Sequence, residues 1–213
     1  MTSEAYLLGR KKYQRPQGML WSENSGTVVN GLYIPNGFEV NADVDAETDE
    51  SMFNQFIILS DDNRSPLDFK PQRIESRKRM ANGRMRSYHI ADKMTLSTSW
   101  DMLPSRSYAL RPNYSLENGK SPYANNNILE YTTDGGAGGV DILKWYENHK
   151  GSFWVYLAYD KFSNFGENDE AYEKLPQYNQ LIEMFISDFN YSVVRRGGSN
   201  YDFWNISVTL EEV

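Results

Sequence analysis

Few residues of this 213-residue chain could carry out acid–base or metal chemistry, and they do not form a known catalytic pattern. The two histidines, His89 and His149, fall in a predicted strand and at the end of a predicted helix, where histidine is usually solvated or interacts with the helix dipole. The chain has no cysteine, no Gly-x-Ser-x-Gly turn, no His-Glu-x-x-His pair and no Walker sequence. We therefore predict a protein that is not an enzyme, with no catalytic residues and no metal site.

Two short segments imitate ligand-binding motifs without completing them. The run DGGAGG at 134–139 is not followed by Gly-Lys-Ser/Thr, and Asp141 stands where the last glycine of a dinucleotide fingerprint belongs. It is interpreted as a flexible entry to a helix. The acidic segment, residues 41–50, has carboxylates at alternate positions but lacks the central glycine and the final glutamate of a calcium loop. We expect it to be solvated or to face a partner.

Composition limits the class of protein further. The 22 Lys+Arg residues against 29 Asp+Glu residues give a net charge of −7, which argues against sequence-specific nucleic acid binding by the whole chain. No apolar run has the length of a membrane span, and the N-terminus has no signal-peptide pattern, so a soluble protein that stays where it is made is expected. The load of 15 Tyr, 10 Phe and 5 Trp suits strands and interfaces.

The element that organises the chain is a long hairpin over 69–103. Its second half alternates with a period of two, which predicts a strand with one buried face. The residues expected on that face are Tyr88, Ile90, Met94, Leu96 and Trp100. Trp204, together with Trp100, is predicted to be a core anchor.

The pair Asn82-Gly83 predicts the turn of this hairpin, because both residues tolerate positive φ. A two-residue turn would place Arg73 opposite Asp92 and Arg79 opposite Arg86. Four arginines would then share one face of the hairpin: Arg77, Arg79, Arg84 and Arg86. Such a cluster either binds an anionic partner or is a solvated basic tip.

The remaining pattern predicts a single mainly-β domain over 1–213, a β-sandwich or split barrel with one flanking α-helix and the long β-hairpin. Residues 1–24 show no clear element, and loop insertions are predicted at about 104–127 and 160–176. The helix is predicted over 140–149. Strands are predicted over 27–34, 52–59, 153–159, 180–186, 188–195 and 201–210.

Opposite charges lie close together along the chain. Residues 64–93 carry nine basic and three acidic side chains, and residues 51–63 separate them from the acidic segment. This polarity suits contacts in which the hairpin of one copy meets the acidic segment of the next, although neutralisation within one chain explains it equally well. The subunit-interface hypothesis therefore includes Arg77, Arg79, Arg84 and Arg86 together with Asp43, Asp45, Glu47 and Asp49.

Two blocks of the sequence resemble a known family. The motif RMANGRMRSYHIADKMTLSTSWDMLPSRSY at 79–108 and the closing DFNYSVVRRGG…YDFWNISVTLEEV at 188–213 resemble small tail proteins of long-tailed bacteriophages, those labelled minor tail proteins in phages of actinobacteria. The overall pattern is similar to the split barrel of tail-tube and distal-tail proteins. Together the blocks cover about a quarter of the chain.

The resemblance implies a structural subunit of the virion tail, present in the host cytoplasm during assembly. It implies a homo-oligomeric ring, with a hexamer as one option, that contacts other tail proteins and needs no cofactor. The alternative is a carbohydrate- or receptor-binding β-sandwich module of a virion, which exposed Tyr and Trp side chains would suit.

Overall fold

The computed structural model describes residues 18–29, 32–35, 56–110, 128–159, 178–197 and 201–213. Over these residues the chain is mainly β with one helix, which confirms the predicted fold class. The strands are β1 (Met19–Ser22), β2 (Thr27–Val29), β3 (Leu32–Ile34), β4 (Phe56–Ile58), β5 (Asp68–Arg79), β6 (Met85–Pro104), β7 (Tyr108–Leu110), β8 (Ile128–Glu130), β9 (Phe153–Leu157), β10 (Gln180–Arg196) and β11 (Asp202–Glu212), and the helix α1 is Gly139–Asn148.

Seven strands form one antiparallel sheet in the order β4-β1-β9-β10-β11-β6-β5. Two further strand pairs, β2 with β3 and β7 with β8, lie outside it. Over the described residues the sheet is open, with β4 and β5 as its two outermost strands. Among the described residues, no helix is both long enough and apolar enough to span a membrane.

The core lies on both faces of the sheet. Trp21, Trp100 and Trp204 belong to the larger cluster, together with Ile142 and Trp145 of α1, so the helix covers this face. The smaller cluster lies on the other face. It contains Leu20, Phe56, Ile58, Tyr156 and Tyr178, with Tyr33 of β3 packed against it. The predicted burial of Trp100 and Trp204 is confirmed.

Strand β1 was not anticipated by the sequence pattern. All four of its residues are buried, and it pairs with β4 on one side and β9 on the other. Because both of its faces are covered, its apolar residues do not alternate with polar ones, and a four-residue run carries no periodic signal. The interpretation of residues 1–24 as irregular is therefore wrong for 19–22, while residues 1–17 lie outside the described part.

The glycine-rich loop before α1 packs closely against residues 60–61, so the interpretation of the loop as a flexible entry to the helix is wrong. The Asp134 carboxylate accepts hydrogen bonds from the Ser60 hydroxyl at 2.8 Å, the Asp61 N–H at 2.7 Å and the Gly136 N–H at 2.9 Å. At Gly136 a Cβ atom would lie 2.4 Å from the Ser60 Cα, so only glycine allows the two loops to approach this closely. The helix itself is displaced by one residue from its predicted limits.

Two predicted strand boundaries are corrected by bulges and turns. The strands expected over 180–186 and 188–195 are one strand, β10, which continues through a bulge between Ile186 and Asp188. The strand expected over 27–34 is divided into β2 and β3. The alternation in β11 is confirmed, since Trp204, Ile206, Val208 and Leu210 are all buried. In the insertion expected over 104–127, Pro104 is the last residue of β6 and residues 108–110 form β7. Residues 111–127 and 160–177 lie outside the described part.

Candidate subunit interface

The hairpin of β5 and β6 extends beyond the rest of the sheet. The last pair between β6 and its neighbour β11 joins Thr95 to Glu211, whereas pairing between β5 and β6 continues to Arg79 and Met85. We call residues 72–93, which lie beyond that last pair, the ribbon. At about 3.3 Å per residue its strands extend roughly 30 Å. Residues 76–90 are all exposed, so the ribbon is accessible on both faces.

The ribbon ends in a three-residue turn rather than the predicted two-residue turn. The Met80 N–H donates to the Arg84 carbonyl at 2.8 Å, and the Gly83 N–H donates to the Met80 carbonyl at 2.9 Å. Gly83 has φ +79°, whereas Asn82 is not among the positive-φ residues, so this is a type I turn closed by glycine. The Asn82 side chain accepts from the Arg84 N–H at 3.1 Å, which further fixes the turn.

The longer turn shifts the pairing at the tip by one residue. Arg79 lies opposite Met85, and Lys78 lies opposite Arg86, so the prediction that Arg79 faces Arg86 is wrong. A bulge in β6 beside Ile74 and Glu75 then restores the predicted register nearer the core. There the expected pairing of Arg73 with Asp92 is confirmed.

These two changes divide the ribbon's side chains between its faces. Directly paired residues share a face and neighbours along a strand alternate, so Arg77 and Arg79 lie on the face that continues from the core, here the front face. Arg84 and Arg86 lie with Lys78 on the opposite, back face. The prediction that all four arginines share one face is therefore wrong.

The same bulge corrects the predicted buried face of β6. Leu96 and Trp100 are buried and Met94 is half-buried, as expected. Tyr88 and Ile90 are 51% and 67% exposed, because both lie in the ribbon, whose two faces are accessible. The bulge also changes their orientation, since Ile90 is its extra residue and Tyr88 lies on the back face. The alternation in the sequence continues through the bulge, although the structure changes face there.

Two clusters neutralise part of the front face. Asp92 lies 3.0 Å from the Arg73 guanidinium and 3.1 Å from His89 Nε2. The hydrogen bond with Arg73 lowers the pKa of the Asp92 carboxyl and raises the pKa of Arg73.

The second cluster is centred on Glu75, which accepts hydrogen bonds from Ser87 and from Arg77 Nε, the latter at 2.6 Å. The Ser87 bond first and the Arg77 bond second lower the pKa of the Glu75 carboxyl. Arg77 is thus already paired within its own chain.

Four cations beside the turn of the ribbon, which we call the tip (residues 78–86), have no ion pair among the described residues. They are Lys78, Arg79, Arg84 and Arg86. On the back face Lys78 and Arg86 are directly opposite each other, an arrangement that is destabilising in an isolated hairpin. The arrangement can therefore be stabilised by an anionic group bound on the back face.

Apolar side chains accompany these charges. Met80 and Tyr88 lie on the back face and Met85 on the front face, and each is substantially exposed. Exposed methionine and tyrosine beside arginine is a composition enriched at protein interfaces. The tip therefore combines cationic groups with apolar groups that a protein partner would cover.

The other predicted interface residues, Asp43, Asp45, Glu47 and Asp49, lie outside the described residues. In the part that the structure describes, no group of three His, Cys, Asp or Glu side chains is arranged to hold a metal ion. His149 stacks on Trp145 at 3.7 Å and lies 2.8 Å from Glu23, so it joins α1 to the loop after β1.

Comparison with known proteins adds no family to this description. No protein-family model matches the chain, and no curated protein matches its sequence.

Proposed function

We propose that the chain is a structural subunit of a bacteriophage virion tail, tube-like or of the distal or minor type, that assembles into a ring through hairpin and sheet-edge contacts. The observation that carries this proposal is the ribbon. It projects roughly 30 Å from the sheet, and residues 76–91 contain five cations and no acid. Like charges on an isolated two-stranded hairpin destabilise a monomer, whereas at a subunit contact the same charges can bind an anionic surface.

The corrected geometry narrows the contact surface within the ribbon. Arg77 is occupied by Glu75, so the contact depends chiefly on Lys78, Arg84 and Arg86 of the back face, with Arg79 on the other side of the tip. An arginine fork binds a carboxylate through two parallel hydrogen bonds, which gives both attraction and orientation. The partner is the acidic segment of a neighbouring copy, where Asp43, Asp45, Glu47 and Asp49 supply carboxylates.

Each exposed ion pair contributes only about 0.2–1 kcal/mol, but a ring repeats the contact at every interface. Such a contact weakens as salt is added, because dissolved ions screen the attraction between exposed charges. The apolar side chains of Met80 and Tyr88 add a component that salt does not screen.

The test is sedimentation velocity of the variant Arg84→Glu plus Arg86→Glu at low salt. The parent protein is expected to form a large discrete oligomer that dissociates with added salt, and the variant is expected to lose it. The matched control is Arg106→Glu plus Lys150→Glu, which makes the same change of charge at two exposed positions outside the ribbon. The control is expected to assemble like the parent protein.

Circular dichroism shows whether each variant is folded. If the folded Arg84→Glu plus Arg86→Glu protein assembles normally at low salt, the ribbon is a passive basic tip and the assembly role proposed for it is withdrawn. If the control loses assembly to the same extent, the effect belongs to net charge and not to the ribbon.

A further inference from the structure

A second unpaired surface lies on β10, on the far side of β11 from the ribbon. β10 pairs with β9 only from Gln180 to Met184, while its other side pairs with β11 over its whole remaining length. From Phe185 to Arg196 the outer edge of β10 therefore has no strand beside it within the described residues. Tyr191 and Val193 on this stretch are 50% and 55% exposed.

Within the described residues, the other two edges of the sheet are protected against strand addition, whereas the outer edge of β10 is not. The described part of β4 is three residues long, and Leu59 directly after it bridges to Ala137. β5 contains Pro71 and a row of charged side chains, both of which discourage pairing at an edge. The free edge of β10 has no proline, and apolar residues occupy much of it. An exposed edge of this kind favours pairing with another strand.

The sequence of the free edge is complementary to itself. Its regular part lies between two bulges, at Ser187 and Val194, and has Asp188 at one end and Arg195 just beyond the other. Phe189, Tyr191 and Val193 share one face of the strand, the face on which Phe189 stacks against Tyr146 of α1.

In an antiparallel pairing of two identical strands, each residue and its partner must lie on the same face. The pairing is therefore centred on one residue, which then faces its own symmetry mate. Centring on Tyr191 places Phe189 opposite the partner's Val193 and Asn190 opposite the partner's Ser192. It also brings Asp188 beside the partner's Arg195, so opposite charges meet at both ends of the contact.

We propose that the outer edge of β10 binds the same edge of a second copy of this chain, in a two-fold antiparallel pairing centred on Tyr191. Six apolar side chains, three from each copy, then form one continuous row across the two sheets. A two-fold contact closes on itself and joins two copies, so it is separate from the ring contact of the ribbon and does not depend on it.

The absence of cysteine from the chain allows a direct test by cross-linking. Two copies with Tyr191→Cys would have Cα atoms about 4.5–5.5 Å apart across the two-fold axis, a separation that permits a disulfide. Under mild oxidation at micromolar protein, cross-linked dimer is expected at least about ten times faster than for Val28→Cys, because pairing raises the effective thiol concentration. Val28 is 59% exposed on β2 and serves as the matched control.

A second pair of variants keeps Tyr191 intact. Asn190→Cys and Ser192→Cys face each other in the proposed register, so an equal mixture is expected to cross-link faster than either variant alone. The experiments are done in the background of Arg84→Glu plus Arg86→Glu, where the ring contact is removed. Dimer formation there supports the β10 contact whatever the outcome for the ring.

Two outcomes would overturn the proposal. One is cross-linking of Tyr191→Cys no faster than Val28→Cys, in protein whose circular dichroism matches the parent. The other is a mixture of Asn190→Cys and Ser192→Cys that reacts no faster than its separate components, which would exclude this register.

Discussion

Trp100 and Trp204 allow the packing of the core to be separated from its hydrogen bonding. The Trp100 side chain is fully buried, and its Nε1–H donates to the Ser60 carbonyl at 2.7 Å. Trp204 is 8% exposed, packs over Gly139, and has no hydrogen-bond partner for its Nε1–H among the residues that the structure describes. The two tryptophans thus bury similar surface but differ in one hydrogen bond.

Truncation of either tryptophan to alanine is expected to lower the free energy of unfolding by about 3–5 kcal/mol, from lost apolar contact and the cavity left behind. For a chain of this size each kcal/mol corresponds to roughly 2–4 °C in Tm, so the expected decrease is about 6–20 °C. Differential scanning calorimetry or thermal circular dichroism measures it.

Replacement by phenylalanine separates the two positions. Trp100→Phe removes the hydrogen bond and leaves the Ser60 carbonyl without its donor, which costs about 1–3 kcal/mol beyond the loss of ring volume. Trp204→Phe removes an N–H that has no partner in the described part of the chain, so only the loss of ring volume is expected. Equal destabilisation by the two phenylalanine variants would refute the hydrogen-bond assignment. Alanine variants that melt like the parent protein would refute the assigned core.

The other predictions concern the loop before α1 and the ribbon. Gly136→Ala should lower Tm by several degrees because its Cβ would meet backbone, whereas Gly151→Ala, with open space around it, should leave Tm nearly unchanged in the same thermal scans. The pKa values of Glu75 and Asp92 are lowered in the folded protein, so their ionised carboxylates stabilise the ribbon above about pH 4. This stabilisation is lost as the pH falls through the pKa values of the folded state. At this acidic pH, hydrogen exchange of the ribbon amides should therefore become faster relative to exchange of the core amides. Arg73→Gln should remove the share of this pH dependence that comes from Asp92.

The sequence predicts those parts of the fold where one simple period governs a long element. The apolar stripe of α1 and the alternation in β11 give both elements to within one or two residues. The long hairpin is also predicted, since Asn82-Gly83 and the flanking alternation both indicate it. The pairing of Arg73 with Asp92 was predicted correctly only because the bulge in β6 offsets the one-residue shift made by the longer turn.

The parts that could not be predicted depend on single-residue choices of the backbone. Asn-Gly suits a two-residue turn and a three-residue turn alike. Because the turn has three residues, Arg79 pairs with Met85 and not with Arg86. The bulges beside Glu75 and before Asp188 leave no signal in hydrophobic alternation, yet each reverses the face of the residues beyond it.

The candidate interface shows the same limit. Its residue types could be read from the sequence, because five cations without an acid stand out in any register. Their division between two faces, and the pairing of Arg77 with Glu75, required the structure.

The central claim is that the cationic tip of one copy binds the acidic segment of the next, and a charge exchange tests it most directly. Asp45→Arg plus Glu47→Arg is added to the chain that carries Arg84→Glu and Arg86→Glu, and particles are imaged by negative-stain electron microscopy at low salt. Rings are predicted for the parent protein, none for the ribbon variant, and partial recovery for the fourfold variant. Rings that persist in the ribbon variant, or no recovery when the charges are exchanged, would contradict the pairing of these two surfaces.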